Sequence, residues 1–370
     1  MLNEKKWIWE YDSYPNFTYD NSKLQTLLEE IKYYQGLLNG IFTNVNQEDL
    51  LQTQLEILTG EIVNSSAIEG EVLSRDSVRS SISNHLGINR EKKDYSTRAS
   101  DGVADLLVDA LYNFNTPLNQ ERIFAWHTAL FPREEKRLIE INVAQYRNEE
   151  MEIVSGRIGI EKVHYVAPPH ETLDKEMKQF FHWLNNGNDS IVKAGIAHLW
   201  FVIIHPFDDG NGRIARAIGN YILSKEAQEP IRFYSLSGMI LEDKRGYYDV
   251  LEATTSSGLD ITAWLEWFLE TLLKSLKLSR ENVQYILQKT AFWDKHKSTV
   301  LNEREIKVLN RLLDAGDGNF EGGINTRKYV SLTKVSKNTA SRELKGLVEK
   351  SCLVQKEGTS GRSVAYQLKF

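Results

Sequence analysis

Cysteine and long apolar runs are almost absent from this sequence. Its one cysteine, Cys352, lies among apolar residues, which excludes a disulfide within the chain and favours a reducing, cytoplasmic compartment. The longest apolar stretch, at 199–204, is too short to span a bilayer, and residues 1–11 contain no run typical of a signal peptide. Internal repeats and low-complexity tracts are also absent. These absences predict a cytoplasmic globular protein with no membrane partner.

Size and charge point to more than one domain. With 370 residues, of which 41% are hydrophobic and 26% charged, the chain can bury a substantial core and should form two or three domains. Residues 301–370 contain 13 Lys and Arg against 8 Asp and Glu, a net charge of +5, which leaves −11 for residues 1–300 out of the total of −6. This asymmetry predicts that the C-terminal part is a separate module.

The most informative segment is the dodecapeptide His-Pro-Phe-Asp-Asp-Gly-Asn-Gly-Arg-Ile-Ala-Arg at 205–216. Apolar residues recur at spacings of three and four on both sides of it, which predicts a helix, a tight loop and a second helix. Pro206 makes His205 the expected end of the first helix. Two glycines allow close backbone approach, and the loop leads into the positive end of a helix, so the segment predicts an anion site.

The side chains of this segment suit a nucleotide triphosphate. Arg213 and Arg216 are three residues apart and can face one anion, where guanidinium groups match phosphate oxygens. Asp209 offers the hard oxygen that Mg2+ prefers, and His205 can exchange a proton near neutral pH. Two other histidines lie on apolar helical faces and are expected to be hydrogen-bonded core residues: His127 and His198.

The dodecapeptide resembles the signature of Fic proteins, His-Pro-Phe-x-(Asp/Glu)-Gly-Asn-Gly-Arg-x-x-Arg, and matches it at every fixed position. The resemblance implies transfer of AMP from ATP to a Ser, Thr or Tyr hydroxyl of a target protein, with release of pyrophosphate. It makes His205 the general base and Asp209 the ligand of Mg2+. The residues that it assigns to nucleotide binding are Gly210, Asn211, Gly212, Arg213, Ile214, Ala215 and Arg216.

A second segment, Asn-Ser-Ser-Ala-Ile-Glu-Gly-Glu at 64–71, indicates regulation. Ser65 and Glu69 are four residues apart and would share a helix face, and Gly70 is a plausible helix terminator. The segment resembles the Fic inhibitory motif, (Ser/Thr)-x-x-x-Glu-(Gly/Asn), whose glutamate pairs with the last arginine of the signature, here Arg216. The resemblance implies autoinhibition by an N-terminal helix at about 58–70, which keeps the ATP γ-phosphate from its productive position.

Two further sites are implied by the same resemblance. The stretch 158–169, with strand-forming residues before two prolines, resembles the Fic flap, a hairpin that covers the nucleotide and pairs with a target segment. Its flap residues are Val163, His164, Tyr165 and Val166. The stretch 245–251 resembles the adenine-contacting part of the family, with Tyr247 and Tyr248 as flat partners for the base, although either could be a core residue. Thr255 replaces an asparagine found in some relatives.

We therefore predict a mainly α-helical protein, in which a Fic helical domain with a short β-hairpin flap is followed by a winged-helix domain. The predicted limits are 1–95 for an N-terminal helical region with an aromatic-rich start, 96–285 for the catalytic domain and 300–370 for the winged helix. Helical periodicity is expected at 24–56, 74–86, 104–114, 120–130, 173–185 and 261–282.

The C-terminal module resembles a winged helix. Its pattern predicts helices at 303–313 and 326–332, a further helix capped by Ser336, a glycine-rich turn at 316–323, and a hairpin within 353–368. In that fold the last helix enters the DNA major groove, and its exposed side would offer Lys337, Asn338, Ser341, Arg342 and Lys345, with Arg362 on the wing. Winged helices also serve dimerisation and protein docking, so DNA and a homodimer are both open.

The resemblance therefore implies an autoinhibited protein adenylyltransferase that uses ATP and Mg2+, with Glu69 as the brake and His205 as the base. The target protein is open and includes the chain itself. Two alternatives remain: removal of AMP from a modified protein, with Glu69 positioning water, or a DNA-binding regulator whose Fic domain senses nucleotide with little turnover.

Overall fold

A computed structural model describes residues 7–43, 45, 47–88, 94–132, 141–157, 160–229, 233–313 and 322–370. The chain divides into two compact units, one up to Arg280 and one from Glu281 onwards. Within the described ranges, no helix combines the length and the apolar character that crossing a membrane requires.

The first unit is helical apart from one hairpin. Short 3-10 turns lie at Ile8–Glu10 and His170–Thr172. The regular elements are α1 (Asn21–Phe42), α2 (Gln47–Ile68), α3 (Arg75–His85), α4 (Arg98–Tyr112), α5 (Gln120–Leu130), β1 (Glu152–Arg157), β2 (Ile160–Val166), α6 (Leu173–Asn185), α7 (Ile191–Ile204), α8 (Asn211–Ala227), α9 (Leu236–Glu242), α10 (Lys244–Thr255) and α11 (Thr262–Lys295). The last of these, α11, begins in the first unit and continues past Arg280 into the second. The mainly α-helical fold that the sequence predicts is confirmed.

Helix positions follow the apolar periodicity, with two corrections. The predicted helix at 24–56 is two helices, α1 and α2, because the Thr-Asn-Val-Asn run between them has low helix propensity. The predicted inhibitory helix at 58–70 is thus the C-terminal half of α2, which ends at Ile68. At the other end, α11 continues to Lys295 rather than 282, since Val283 and Phe292 keep burying apolar surface.

The core of the first unit is built around α7 and α8, which pack along each other. Every residue of α7 except Ile196 is buried, and α8 is buried from Arg213 to Ser224. A helix that is apolar on all sides can be stable only inside a protein, so the sequence of α7 dictates its central place. The loop between α7 and α8 is consequently held at both ends by the most buried helices of this unit.

The flap hairpin is antiparallel, with Glu152 opposite Val166 and Arg157 opposite Ile160. The prediction placed the hairpin at 158–169, but its first strand is β1, which precedes that range, and residues 158–159 lie outside the described residues. The N-terminal aromatics pack against β2, as expected of core residues. The Trp9 indole donates a hydrogen bond to the Val166 carbonyl at 2.7 Å, and the Trp7 ring meets Tyr165 edge-on.

The second unit has the predicted order of elements, namely α12 (Glu303–Leu313), α13 (Thr326–Thr333), α14 (Lys337–Glu349), β3 (Leu353–Gln355), a 3-10 turn (Gly361–Ser363) and β4 (Tyr366–Leu368). Ser336 caps α14, since its side chain accepts from the Thr339 amide. Leu353 pairs with Leu368 across the hairpin, and Cys352 is buried. The predicted glycine-rich turn lies outside the described residues up to 321.

Helix α4 packs so closely on α5 that one position requires glycine. A Cβ at Gly102 would lie 1.9 Å from the Ala129 carbonyl oxygen of α5, whereas a Cβ at Gly36 of α1 would meet nothing within 4 Å. We expect Gly102→Ala to lower the free energy of unfolding by about 1–3 kcal/mol, because the helices must separate. The matched control Gly36→Ala should raise it by roughly 0.5–1 kcal/mol through better helix propensity. Equal effects of the two substitutions in urea unfolding would contradict this packing.

Candidate active site

The loop between α7 and α8 is closed by its own side chains. His205 ends α7 in the left-handed conformation, with φ 48°, and Gly210 precedes α8 with φ 85°. The buried Asn211 clamps the turn, since its Oδ1 accepts from the Phe207 amide at 3.0 Å and its Nδ2 donates to the Phe207 carbonyl at 2.7 Å. The Asn211 side chain therefore fixes the loop, and its backbone N–H remains for an anion at the helix start.

Glu69 lies against the first turn of α8. A Cβ at Gly212 would be 2.1 Å from Glu69 Oε1, so only glycine lets the carboxylate come this close. The N-terminus of a helix favours negative charge, and Glu69 takes the position that the sequence assigns to an anion. Ile214 and Ala215 have fully buried side chains, and the Ile214 amide donates to the Gly210 carbonyl within the helix, so their part in nucleotide binding stays a prediction.

Arg216 is 1% exposed and is bound by two residues of the inhibitory segment. Its Nη1 lies 2.8 Å from Glu69 Oε1, while its Nε and Nη2 donate to the Ser65 hydroxyl and carbonyl, both at 2.9 Å. Burial alone would raise the pKa of Glu69, but the Arg216 guanidinium outweighs it and holds that pKa below its ordinary value. The structure thus brings Ser65, Glu69 and Arg216 together. Glu69 and Arg216 form an ion pair that stays charged at neutral pH, and Ser65 accepts hydrogen bonds from Arg216.

Arg213 also faces a carboxylate, one that sequence reasoning did not single out. Its Nη1 lies 2.7 Å from Glu71 Oε2, its Nη2 lies 3.4 Å from Asp209 Oδ1, and its guanidinium stands 5.0 Å from the Phe131 ring centre. Gly70, with φ 83°, turns the chain after α2 and allows Glu71 to follow Glu69 toward α8. Both signature arginines therefore have acidic partners from the same turn.

His205 is half-buried at the start of the loop. Its Nδ1 lies 3.2 Å from the Val202 carbonyl, which can only accept, so Nδ1 carries the proton and Nε2 keeps a lone pair. Burial lowers the pKa of His205 to about 4, despite the hydrogen bond to Val202 and the charge of Glu69. The imidazole is therefore neutral at pH 7, with Nε2 in the state that a general base needs.

Arg147 fixes the backbone around His205 and was not found from the sequence. This buried guanidinium donates from Nε to the His205 carbonyl at 2.9 Å and from Nη2 to the Pro168 carbonyl, while the Arg147 amide donates to Pro206 at 2.9 Å. It joins the loop to the chain that leaves the flap. An isolated Arg in a polar run carries no sequence signal of this role.

The two histidines predicted to be core residues are buried and hydrogen-bonded, as expected. His127 Nδ1 accepts from the Ala144 amide at 3.1 Å, so its Nε2 donates to the Asp209 carbonyl at 3.2 Å. The ring also stacks on Phe207, with centroids 4.1 Å apart. His198 contacts the Tyr247 hydroxyl at 3.0 Å. His127, on α5, therefore stabilises the loop, and both of its ring nitrogens are used in hydrogen bonds to the backbone.

The two adenine candidates differ sharply in exposure. Tyr247 is 2% exposed and packs against Trp264 and Trp267, as a core residue does, and its contact with adenine stays a prediction. Tyr248 is 42% exposed, and its hydroxyl lies 3.5 Å from Glu69 Oε2. Thr255 is buried and donates to the Leu251 carbonyl. Adjacent helix residues face different directions, which sequence resemblance did not resolve.

The four predicted flap residues also differ in exposure and in their contacts. Tyr165 is buried, and its hydroxyl donates to the Ile203 carbonyl at 2.7 Å, so it anchors the flap to α7. Val163 is 36% exposed, and Val166 is half-buried beside the N-terminal aromatics. His164 reaches α10, where its Nδ1 lies 2.5 Å from Glu252. Of these four residues, Val163 is thus the side chain most available to a target.

Asp209 suits the predicted role of a magnesium ligand. Its side chain is 53% exposed at the mouth of the loop, and one carboxylate oxygen accepts from the Gly210 amide. Mg2+ often takes one or two carboxylates and fills its other positions with water and phosphate oxygens, so this donor set fits it. Among the described residues, the three-member acidic and histidine group close enough for a metal is a separate one: Glu150, His170 and Glu171.

Comparison with known proteins finds relatives of part of the chain. The profile of the Fic/DOC family matches residues 117–223, and a domain of unknown function, DUF4172, matches residues 7–88. The chain is 38% identical over 93 residues to the protein adenylyltransferase Fic of Nematostella vectensis, covering 24% of this chain and 20% of that protein. It is 27% identical over 143 residues to protein adenylyltransferase fic-1 of Caenorhabditis elegans, covering 35% and 27%. These matches span less than a third of either relative.

Solved structures share the fold. A Fic family protein from Desulfovibrio desulfuricans G20 superposes with a TM-score of 0.53 at 20% identity, over 94% of this chain and 95% of that one. Fic-1 of C. elegans gives a TM-score of 0.50 at 20% identity, over 72% and 74%. The signature loop, the arginines and His205 all lie within the matched family segment. The chain therefore contains a domain of the Fic/DOC family, at residues 117–223.

Proposed function

We propose that this protein is an autoinhibited adenylyltransferase that transfers AMP from ATP to a hydroxyl of a target protein. The observation that carries the proposal is the ion pair between Glu69 and Arg216, set at the end of a loop that begins with His205. Two relatives that match part of the chain are named protein adenylyltransferases. The loop offers the parts that this transfer needs: a neutral imidazole, an anion-binding helix start and two arginines.

In the proposed reaction the triphosphate lies at the N-terminus of α8, where Arg213 and Arg216 neutralise its charge. His205 Nε2 takes the proton of the target hydroxyl, and the oxygen of that hydroxyl bonds to the α-phosphorus. The bond from that phosphorus to the bridging oxygen breaks, and pyrophosphate leaves. Asp209 would hold Mg2+, which, when bound, offsets phosphate charge and orients the leaving group.

Inhibition follows from competition between two anions. Glu69 and the γ-phosphate would both bind the Arg216 guanidinium, and the 2.8 Å ion pair leaves Nη1 occupied. Glu71 gives Arg213 a similar partner but is 38% exposed against 28% for Glu69, so its effect should be smaller.

Helix α2 is anchored independently of this pair. The buried Glu61, two turns before Glu69, accepts hydrogen bonds from Asn220 at 3.0 Å, from Ser235 at 2.6 Å, and from the Ser237 amide and hydroxyl at 3.0 and 2.6 Å. These contacts fasten α2 to α8 and to the start of α9. Relief of inhibition therefore requires the Glu69 side chain to turn away, and α2 stays in place.

Removal of the Glu69 carboxylate should release transfer. We expect Glu69→Gly and Glu69→Gln to raise AMP incorporation into lysate proteins by about 10- to 100-fold, because Arg216 becomes available to the γ-phosphate. Incorporation is measured with ATP labelled at the α-phosphate. Adding His205→Ala to Glu69→Gly should abolish transfer to these proteins, since the base is lost.

A matched control is a glutamate on α2, the helix that leads to Glu69. Glu56 pairs with Arg75 and Arg79 at 2.8 and 2.9 Å on the surface, so Glu56→Gln should leave transfer unchanged. Glu71→Gln should raise transfer by less than Glu69→Gln. Unchanged incorporation in Glu69→Gly would contradict the brake. Release of AMP from a modified protein by the wild type, lost in Glu69→Gly, would favour the reverse reaction, in which Glu69 positions water.

The pH dependence should reflect the lowered pKa of His205. The base works only when neutral, so activity falls as pH drops through its folded pKa of about 4. We expect kcat/KM of Glu69→Gly, at saturating Mg2+, to stay level from about pH 8 through about 6.5, the ordinary histidine value. Loss of activity with an apparent pKa near the ordinary value would show that His205 is not buried in this way.

A second candidate role, DNA binding by the C-terminal unit, is favoured by its charge distribution. Lys337, Arg342 and Lys345 are exposed on α14, whereas the buried acids Glu305 and Glu343 are paired with Lys350 and Arg304 at 2.8 and 2.5 Å. Arg342→Ala with Lys345→Ala in the full chain should weaken binding to duplex DNA and reduce its salt dependence. Equal, salt-independent binding by both proteins would exclude this role.

A further inference from the structure

A serine, a histidine and a glutamate form one hydrogen-bonded chain from the flap to α10. Ser155 Oγ of β1 lies 2.6 Å from Nε2 of His164 in β2, and His164 Nδ1 lies 2.5 Å from Glu252 Oε2 in α10. The hairpin pairing shifts between Ile153 and Val154, so His164 has no partner of its own in the register. A bulge of this kind re-aims a side chain, which is how His164 reaches both groups.

The proton positions in this chain follow from the chemistry of its members. The Glu252 carboxylate only accepts, so His164 donates from Nδ1 and keeps the Nε2 lone pair for the Ser155 hydroxyl. Hydrogen bonds from His164 and from Lys162, whose Nζ is 2.9 Å away, hold the pKa of Glu252 below its ordinary value. A nucleophile bonded to a base that a third group orients is the arrangement that activates a hydroxyl.

The two elements that carry this chain, the flap and α10, also contact residues near the loop. Tyr165, next to His164, donates to the Ile203 carbonyl two residues before His205. Glu252 follows Tyr248 by one turn of α10, and the Tyr248 hydroxyl lies 3.5 Å from Glu69. Ser155 itself is exposed on the flap. The Ser155 hydroxyl is thus exposed on a hairpin that Tyr165 anchors to α7 two residues before His205.

We propose that Ser155 is a self-modification site that accepts AMP from ATP. This inference rests on the proposed adenylyltransferase function. Ser155 Oγ bonds to the α-phosphorus, the bond to the bridging oxygen of pyrophosphate breaks, and the hydroxyl proton passes to His164 Nε2. Glu252 orients the imidazole through its hydrogen bond with Nδ1. The product is an AMP phosphodiester on the flap, with pyrophosphate released.

The test uses full-length Glu69→Gly protein incubated with ATP and Mg2+, followed by tandem mass spectrometry of the peptide that contains Ser155. AMP is expected on Ser155. Adding Ser155→Ala should lower self-labelling at least about tenfold while transfer to lysate proteins is kept, and Ser155→Thr should restore part of it. His164→Gln should lower labelling of Ser155 by about a hundredfold, the effect of losing a general base.

The control is Ser360→Ala, which removes an exposed serine of the other unit and should leave self-labelling unchanged. An unmodified Ser155 peptide alongside labelled lysate proteins would overturn the self-modification site and leave the proposed function intact. Self-labelling that is unchanged by Ser155→Ala would do the same. Absence of label from every protein in Glu69→Gly would overturn both proposals together.

Discussion

The Arg216 guanidinium is buried in the first turns of α8, and a buried cation requires an anion beside it. Glu69 supplies that anion in this structure, and Ser65 satisfies two more of the guanidinium donors. Leaving Arg216 without a partner would cost several kcal/mol, so a carboxylate or a phosphate must occupy the place. In the proposed inhibited state Glu69 balances the charge of Arg216, and in the proposed active state a phosphate does so.

The other side chains of the site fix the backbone of the loop, so only the anion beside Arg216 can change. Asn211 closes the loop from inside, His127 holds it from α5, and Arg147 ties His205 to the segment that follows the flap. Helix α2 is held at Glu61 by groups that the nucleotide would not touch. With loop and helix both fixed, the side chain of Glu69 is the part left to move.

The sequence was sufficient for the helical fold and for finding residues that the structure brings together at the loop, because apolar periodicity and local motifs encode both. The pairing of Glu69 with Arg216 was predicted from the resemblance, and the geometry agrees with it. Contacts between distant residues with no motif of their own were not predictable, as Glu61, Arg147 and Glu71 illustrate. The direction in which each side chain points was also not predictable. Tyr247 and Tyr248 are adjacent, yet Tyr247 is buried and Tyr248 is exposed. The set of Ser155, His164 and Glu252 depends on a register shift that no periodicity reveals.

The most direct measurement of the central claim is the position of the ATP γ-phosphate in crystals of the wild type and of Glu69→Gly, each with ATP and Mg2+. The competition account predicts that wild-type Arg216 keeps Glu69 as its partner, with the γ-phosphate displaced from the guanidinium. In Glu69→Gly the γ-phosphate should bind Arg216 directly. A wild-type complex in which Arg216 holds the γ-phosphate while its pair with Glu69 remains intact would contradict competition between the two anions.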